Sequence, residues 1–497
     1  MFLTIIESFI DPIVTTLSHE VFWRTLYVTL IFSVILLVVL ENRNPIKAIG
    51  WVVILILLPA VGLVAYFFFG RDNRRIRLLS RQAYRRITNN AVPRIPIGNN
   101  TNAKHKELIH RHNCPISHLI KTQTNSPILS AQTLKIFTEG QSKMNALYED
   151  VLRAKEHIHI QYYIISDDDT GKALSDLLIM KAAEGVKVRV IYDHVGSWEA
   201  SNSFFRNMKR KGVEVYPFLP VVFPILTSKA NYRNHRKVIV IDGEIGYIGG
   251  MNIANRYTIG NELGIWRDTH IRITGPAVNG LQASFMTDWY VASQRILPID
   301  VYHSPAHEEV IPASQDIPMQ IFQSGPTGPW RTLLLTLTRA ISCAQKSVWI
   351  ETPYFLPNDS LFKAITGAAL SGIDVRLMIP HRGDSKTVRL ASDSYIADLL
   401  EAGVKVYRYQ RSFLHSKLMI IDDNLTILGS ANMDFRSLEH NFEITGCIYD
   451  DTVTAEMKEL FVQDLKHCMT LTPRTWRRRS FGTRLAESIM RLFAPLL

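Results

Sequence analysis

The sequence predicts an α/β protein of two pseudo-symmetric halves, each an α/β sandwich around a mixed sheet, preceded by a two-helix transmembrane hairpin. Three observations carry this expectation. The stretch His235-Arg236-Lys237-Val238-Ile239-Val240-Ile241-Asp242 returns as His415-Ser416-Lys417-Leu418-Met419-Ile420-Ile421-Asp422. Strand-like and helix-like segments alternate through both copies. Two strongly apolar segments near the N-terminus are each long enough to cross a bilayer.

Taken in order, Met1 to Glu20 is apolar but interrupted by Glu7, Asp11, Pro12, His19 and Glu20. No basic stretch precedes it, so a cleaved signal peptide is not expected. An interfacial helix and a frayed lead-in both fit. Phe22 to Leu40 reads as a span with Arg24 snorkelling to its edge, and Ala48 to Phe69 as a second that tolerates Pro59 and Gly62. Neither has a polar stripe, which argues against core helices. The short connection Glu41 to Lys47 makes them a hairpin. Arg71, Arg74, Arg75, Arg77, Arg81, Arg85 and Arg86 follow. The excess of positive charge places everything beyond in the cytoplasm, giving a multi-pass protein of the cell (inner) membrane. Residues 1–88 are thus an anchor, and 89–114, rich in Asn, Pro and Gly, a linker.

The first half is expected over 115–312 and the second over 317–471. Beyond the histidine stretches, Ile136-Phe137-Thr138-Glu139-Gly140 answers Ile321-Phe322-Gln323-Ser324-Gly325, and Gly185 to Val190 answers Gly372 to Leu377. Gly212 to Tyr216 answers Gly403 to Tyr407. The halves are expected to pack equivalent edges together with a site between them. The prolines of Pro217 to Leu226 argue against a central strand, leaving an apolar lip near the site or an ordinary packed loop. Lys229, Arg233 and Arg236 hold a second phosphate or are simply solvated. The tail, 472–497, alternates arginines with apolar residues and reads as a basic amphipathic helix on the membrane. A helix docked on the protein is the competing reading.

Val238 to Ile241 is β-branched and turn-bounded, hence a buried strand. Residues two apart on a strand share a face, so His235 and Lys237 point together, as do His415 and Lys417. Histidine changes charge near neutral pH, and lysine offers a compact positive charge to a phosphate oxygen. Asp242 and Asp422 fall at an odd offset, Asp242 in an Asp-Gly turn, and read as structural. Each copy continues into Gly-small-x-Asn: Gly249, Gly250, Asn252 and Gly429, Ser430, Asn432. A single His-x-Lys is weak; two with equal spacing and the same continuation are not.

The doubled pattern resembles the phospholipase D superfamily. The resemblance implies phospholipase D-like sandwich halves sharing one site, with His235, Lys237, Asp242, His415, Lys417 and Asp422 as its catalytic motif. One histidine, His235 by family practice, attacks phosphorus to form a phosphohistidine, while His415 protonates the leaving alcohol. Asn252, Asn432 and Ser430 are expected to bind phosphate, and Glu262 and Glu443 to orient the histidines. Nearly the whole chain is similar to the bacterial cardiolipin synthase family, through Tyr232-Arg233-Asn234-His235-Arg236-Lys237, Thr352-Pro353-Tyr354-Phe355-Leu356-Pro357 and the N-terminal hairpin. That likeness implies transfer of a phosphatidyl group between two phosphatidylglycerols, giving cardiolipin and glycerol. One phosphodiester replaces another, so no cofactor is expected.

The net charge of +11 and a pI near 9.4 suit an anionic partner. The hairpin favours an anionic membrane phospholipid over nucleic acid, and the resemblance implies that this lipid is phosphatidylglycerol or cardiolipin. Cys114, Cys343, Cys447 and Cys468 lack metal-site or CxxC spacing and are expected as reduced thiols. No histidine cluster has zinc spacing, so no metal is expected. The rival readings are a phospholipase D hydrolase, a phosphatidyltransferase with another acceptor, and a catalytically silent membrane scaffold.

Overall fold

The computed structural model describes residues 2–41, 45–66, 114–221, 232–297, 316–326, 328 and 330–495. The Arg71 to Arg86 run, the linker to 113, Lys229 and the second half of the Pro217 to Leu226 stretch lie outside them.

In the N-terminal unit, one helix runs unbroken from Phe2 to Glu41, so the first twenty residues are continuous with the span instead of forming a separate element. Its His19–Leu40 portion is long and apolar enough to cross a membrane, about 33 Å at 1.5 Å per residue. Pro45–Leu57 and Pro59–Ala65 follow, broken where Pro59 cannot donate to the ladder. Val38, Leu55 and Tyr66 are buried where the two arms meet; Phe22, Val28, Phe32, Leu40 and Leu57 point outward. Such a surface is stable in lipid and costly in water.

The second unit holds both halves. The first has a seven-stranded sheet ordered Thr133–Phe137, His270–Thr274, Ile245–Gly249, Val238–Ile241, His157–Tyr162, Lys187–Asp193, Glu214–Phe218. The second repeats that order as Ile317–Ser324, Glu443–Ile448, Leu425–Gly429, Leu418–Ile421, Ser347–Glu351, Asp374–Pro380, Lys405–Tyr409. In each, the last three strands of this order run parallel and the rest antiparallel, so the sheets are mixed. The second sheet gains one edge strand at either end, Leu129–Ala131 and Cys468–Thr470.

Two expectations are corrected. Helix Cys114–Thr124 buries Ile116 and Ile120 in the second half's core, and Leu129–Ala131 pairs with Ile317–Met319. The first sheet therefore begins at Thr133, not near 115; only the chain's return at 317 reveals which edge the early strand completes. The halves also join by faces, not edges. Ile239 and Ile241 point into the first half's helical layer, while Val238 and Val240 enter a core shared with Leu418, Ile420, Leu428 and Ile444. Both motif strands are thus buried on both faces, the physical reason their apolar runs are continuous rather than alternating.

Candidate active site

Each histidine stands where its chain enters a motif strand, and each is held by backbone from the opposite half. The His235 amide donates to the Phe442 carbonyl at 2.9 Å, and the His415 amide to the Arg267 carbonyl at 2.7 Å. Parallel bridges Asn234–Phe442 and Arg267–Leu414 complete this crosswise seam. Both rings are nearly enclosed. His235 packs edge-on to Tyr163; His415 is walled by Trp266, Tyr257 and Phe413.

The side chains cross as well. His235 Nδ1 lies 3.1 and 3.0 Å from the two carboxylate oxygens of Glu443, a residue of the second half. His415 Nδ1 lies 2.6 Å from Oδ2 of Asp268, a residue of the first. A carboxylate on Nδ1 favours the tautomer that leaves Nε2 as the reactive nitrogen. Lys237 Nζ donates to the His235 carbonyl at 2.7 Å. Lys417 Nζ lies 2.7 Å from His415 Nδ1 and also meets the His415 carbonyl.

Two carboxylates, two imidazoles and two ammonium groups thus share one enclosed volume. Burial lowers the His235 pKa, with Glu443 opposing it, and lowers that of His415 further, reinforced by Lys417, Lys237 and His235. Both rings are therefore neutral at pH 7. Burial drives Lys237 well below an ordinary ammonium, and Lys417 down to about 8 against the pull of Asp268 and Glu443. The two carboxylates differ. Burial pushes Asp268 up to about 6, whereas for Glu443 burial is outweighed by His235, Lys237 and the Ser430 hydroxyl, and the acid stays below its usual value. Lys237 and Lys417 offset the two carboxylates here and stand where they can also meet the oxygens of a phosphodiester.

The rest of the repeated motif supports these pairs. Ser430 Oγ donates to Glu443, and Asn441 Nδ2 reaches it at 3.3 Å. The corresponding Gly250 has no room for a side chain: a Cβ there would sit 2.2 Å from Asp268 Oδ1. The two halves thus fill one space differently, with Ser plus Glu or with Gly plus Asp. Asn252 donates to the Tyr257 hydroxyl at 3.0 Å, and that hydroxyl lies 3.2 Å from His415 Nδ1. Asn432 donates to Asp434 at 3.1 Å. Each amide keeps one N–H for a ligand.

Several expected residues stand elsewhere. Glu262 lies exposed in the loop around Gly260–Gly264 and orients neither histidine; the carboxylate opposite His415 is that of Asp268. Distance along the chain does not align the two copies here: Glu443 follows Gly429 by fourteen residues and Asp268 follows Gly249 by nineteen. Strand register, Gly249 opposite His270 and Gly429 opposite Thr445, makes Asp268 and Glu443 equivalent. Asp242 and Asp422 belong to the motif but not to the site. Asp242 accepts the amides of Lys155, Glu156 and His157 at 2.8 Å each; Asp422 accepts those of Gln345, Lys346 and Ser347. They clamp the entry of the adjacent strand from positive-φ turns. Arg233 and Arg236 are not solvated and are already engaged, Arg233 with Asp193 at 3.4 Å and Arg236 with both oxygens of Asp288 at 2.6 Å.

Residues 147–289 and 337–465 match the family described as "Cardiolipin synthase, PLD-like domain", and residues 25–71 match "Phospholipase_D-nuclease N-terminal". A cardiolipin synthase of Geobacillus sp. (strain WCH70) is 39% identical over 469 residues, covering 92% of this chain and 90% of its own. The chain belongs to the cardiolipin synthase family. Cardiolipin synthase 2 of Bacillus cereus is 40% identical over 467 residues, covering 92% of this chain and 88% of the relative. Among solved structures, the phosphatidylserine synthase of Haemophilus influenzae superposes with a TM-score of 0.59 at 17% identity, covering 77% of this chain and 98% of that one. That likeness speaks for the fold. The cardiolipin synthase family relation extends over both halves and the N-terminal unit, so the crosswise histidine–carboxylate pairs lie inside the matched residues.

Proposed function

We propose that this chain transfers a phosphatidyl group from one phosphatidylglycerol to another, releasing glycerol and forming cardiolipin. The observation that carries the reading is the pair of crossed histidine–carboxylate contacts, each beside the lysine of its own motif.

His235 Nε2 attacks the phosphorus of the first lipid. The bond from phosphorus to the glycerol headgroup oxygen breaks, and His415 delivers a proton to that oxygen, so free glycerol leaves. Charge on the phosphoryl oxygens is met by Lys237, Lys417 and the spare amide protons of Asn252 and Asn432. His415 can carry this proton because the phosphodiester's negative charge offsets the cations that otherwise depress its pKa. Glu443 remains ionised and balances the positive charge of the phosphorylated ring. His415, now neutral, takes the proton of a headgroup hydroxyl on the second phosphatidylglycerol. That oxygen attacks phosphorus, the P–N bond breaks, and cardiolipin forms. One phosphodiester is exchanged for another, so no external energy source is consumed.

The hairpin holds the chain in the cell membrane, and the arginines after it place the catalytic halves on the cytoplasmic side. A reporter joined after Arg86 should read as cytoplasmic; an extracytoplasmic readout overturns that orientation. For the reaction, purified protein in vesicles of labelled phosphatidylglycerol should yield cardiolipin and glycerol in equal amounts. Phosphatidic acid as the sole lipid product would make the enzyme a hydrolase. Digests of enzyme quenched in alkaline denaturant, where a phosphohistidine survives, should carry the phosphorus label on His235, and label on His415 would reverse the two roles.

A further inference from the structure

The C-terminal helix Phe481–Leu492 has two opposed faces. One faces the protein: Glu487 is buried and paired with Arg479, Met490 packs on the second half's core, and Ala494, just beyond the helix, is buried. Arg491 reaches Asp398 at 3.6 Å and lies over the Tyr395 ring at 4.3 Å. The other face is apolar and bare. Phe481 and Leu492 are each 78% exposed, with Leu485 and Ile489 about half exposed. At 100° per residue these four fall within an arc of about 80°, opposite the docked side chains. Arg484 lies on the same helix, and Arg474, Arg477 and Arg478 belong to the short turn of helix just before it; all four are exposed and have no ion-pair partner among the described residues. A helix that simply closes the fold has no reason to turn its most apolar residues to water.

We propose that this face is a docking surface for an anionic lipid bilayer. Phe481, Leu485, Ile489 and Leu492 would enter the acyl boundary and the four arginines meet lipid phosphates. Charge decides the occupant: four uncompensated arginines on and just before a helix with a bare apolar stripe complement an anionic headgroup layer, whereas a second copy of this chain, itself at +11, would add repulsion. The position gives the contact a use. The helix packs against Lys386–Asp393, which follows the loop carrying Asp384. Asp384 accepts from Tyr354 at 2.5 Å; Tyr354 packs on Phe413, and Phe413 on His415. A run of packed side chains therefore leads from the tail helix to the wall of the site.

The surface concerns attachment and not chemistry; it rests on the proposed function only for the choice of phosphatidylglycerol as lipid. The test uses the full chain in nanodiscs of phosphatidylglycerol or of phosphatidylcholine, with Phe481→p-benzoylphenylalanine as a photocrosslinker. The same residue at Val28 in the hairpin serves as positive control and at Asp359 as negative control. The tail probe should crosslink to phosphatidylglycerol at least threefold more than to phosphatidylcholine. Replacing Arg474, Arg477, Arg478 and Arg484 together by Gln should remove that preference and leave the hairpin signal unchanged. Crosslinks from position 481 to a second copy of the chain, or to neither lipid while position 28 labels both, overturn the proposal. In a His235→Ala background the crosslink should persist, which separates this surface from any failure of the catalytic reading.

Discussion

Gly250 offers a sharp test of the crossed arrangement, because the smallest possible addition there strikes the carboxylate that holds His415. In Gly250→Ala the new methyl would lie 2.2 Å from Asp268 Oδ1, 2.6 Å from Oδ2 and 2.7 Å from Cγ. Ordinary carbon–oxygen contact is about 3.4 Å, so the carboxylate must retreat by about 1 Å. It has no slack, being bound to His415 Nδ1 at 2.6 Å and to the Thr269 amide at 2.7 Å. Misplacing a catalytic group by 1 Å costs about 10²-fold, or about 2.7 kcal/mol of transition-state stabilisation. Steady-state cardiolipin formation in mixed micelles should therefore fall about a hundredfold in kcat, with a smaller change in KM. Thermal unfolding of the same preparation shows whether the protein is still folded. A folded Gly250→Ala enzyme with kcat within threefold of the parent would show that Asp268 does not orient His415 in the reacting complex.

Three further outcomes follow from the same geometry. Glu443→Gln and Asp268→Asn keep shape but remove the charge facing each Nδ1, and each should lower kcat by about 10² to 10⁴-fold, whereas Glu262→Gln should stay within twofold; kinetics on the three folded variants decide. Asp242→Ala should lose about 2 kcal/mol of stability in urea unfolding, because three amides lose their acceptor, while activity per folded molecule is retained. His157 is buried, and burial lowers its pKa to about 4 from 6.5, with Asp242 and Gln282 opposing and Arg189 reinforcing. The unfolded chain takes up that proton first, so the stability contribution is whole above pH 6.5 and fades as pH falls towards 4. Between pH 7 and pH 5 this histidine should cost about 2 kcal/mol, and His157→Gln should lose that much less over the same interval in urea titrations.

The motif strands, their parallel neighbours and the twofold repeat were legible because buried strands need β-branched runs and the repeat showed them twice. Which carboxylate faces which imidazole was not legible, because the contact crosses between halves and the loop before Asp268 is longer than that before Glu443. Distance along the chain favoured Glu262; only pairing register separates the two. Asp242 shows the opposite case: its odd offset and Asp-Gly turn read as structural although the motif includes it, and its carboxylate seats a neighbouring strand. The early helix and edge strand, residues 114–131, were assigned to the half nearest in sequence, since no local pattern announces a partner some 190 positions away. The tail was legible as amphipathic and docking on the protein was one of its two readings; which half it rests on was not legible.

The exchange of partners between the halves bears on how such a protein arises. A lone half would own an imidazole but not the acid that steadies it, so neither half by itself holds a complete histidine–carboxylate pair. Joining the halves in one polypeptide made their pairing permanent and freed each copy to drift. Gly with Asp on one side and Ser with Glu on the other record such drift: two solutions to one spatial problem, open to separate tuning once symmetry was no longer enforced.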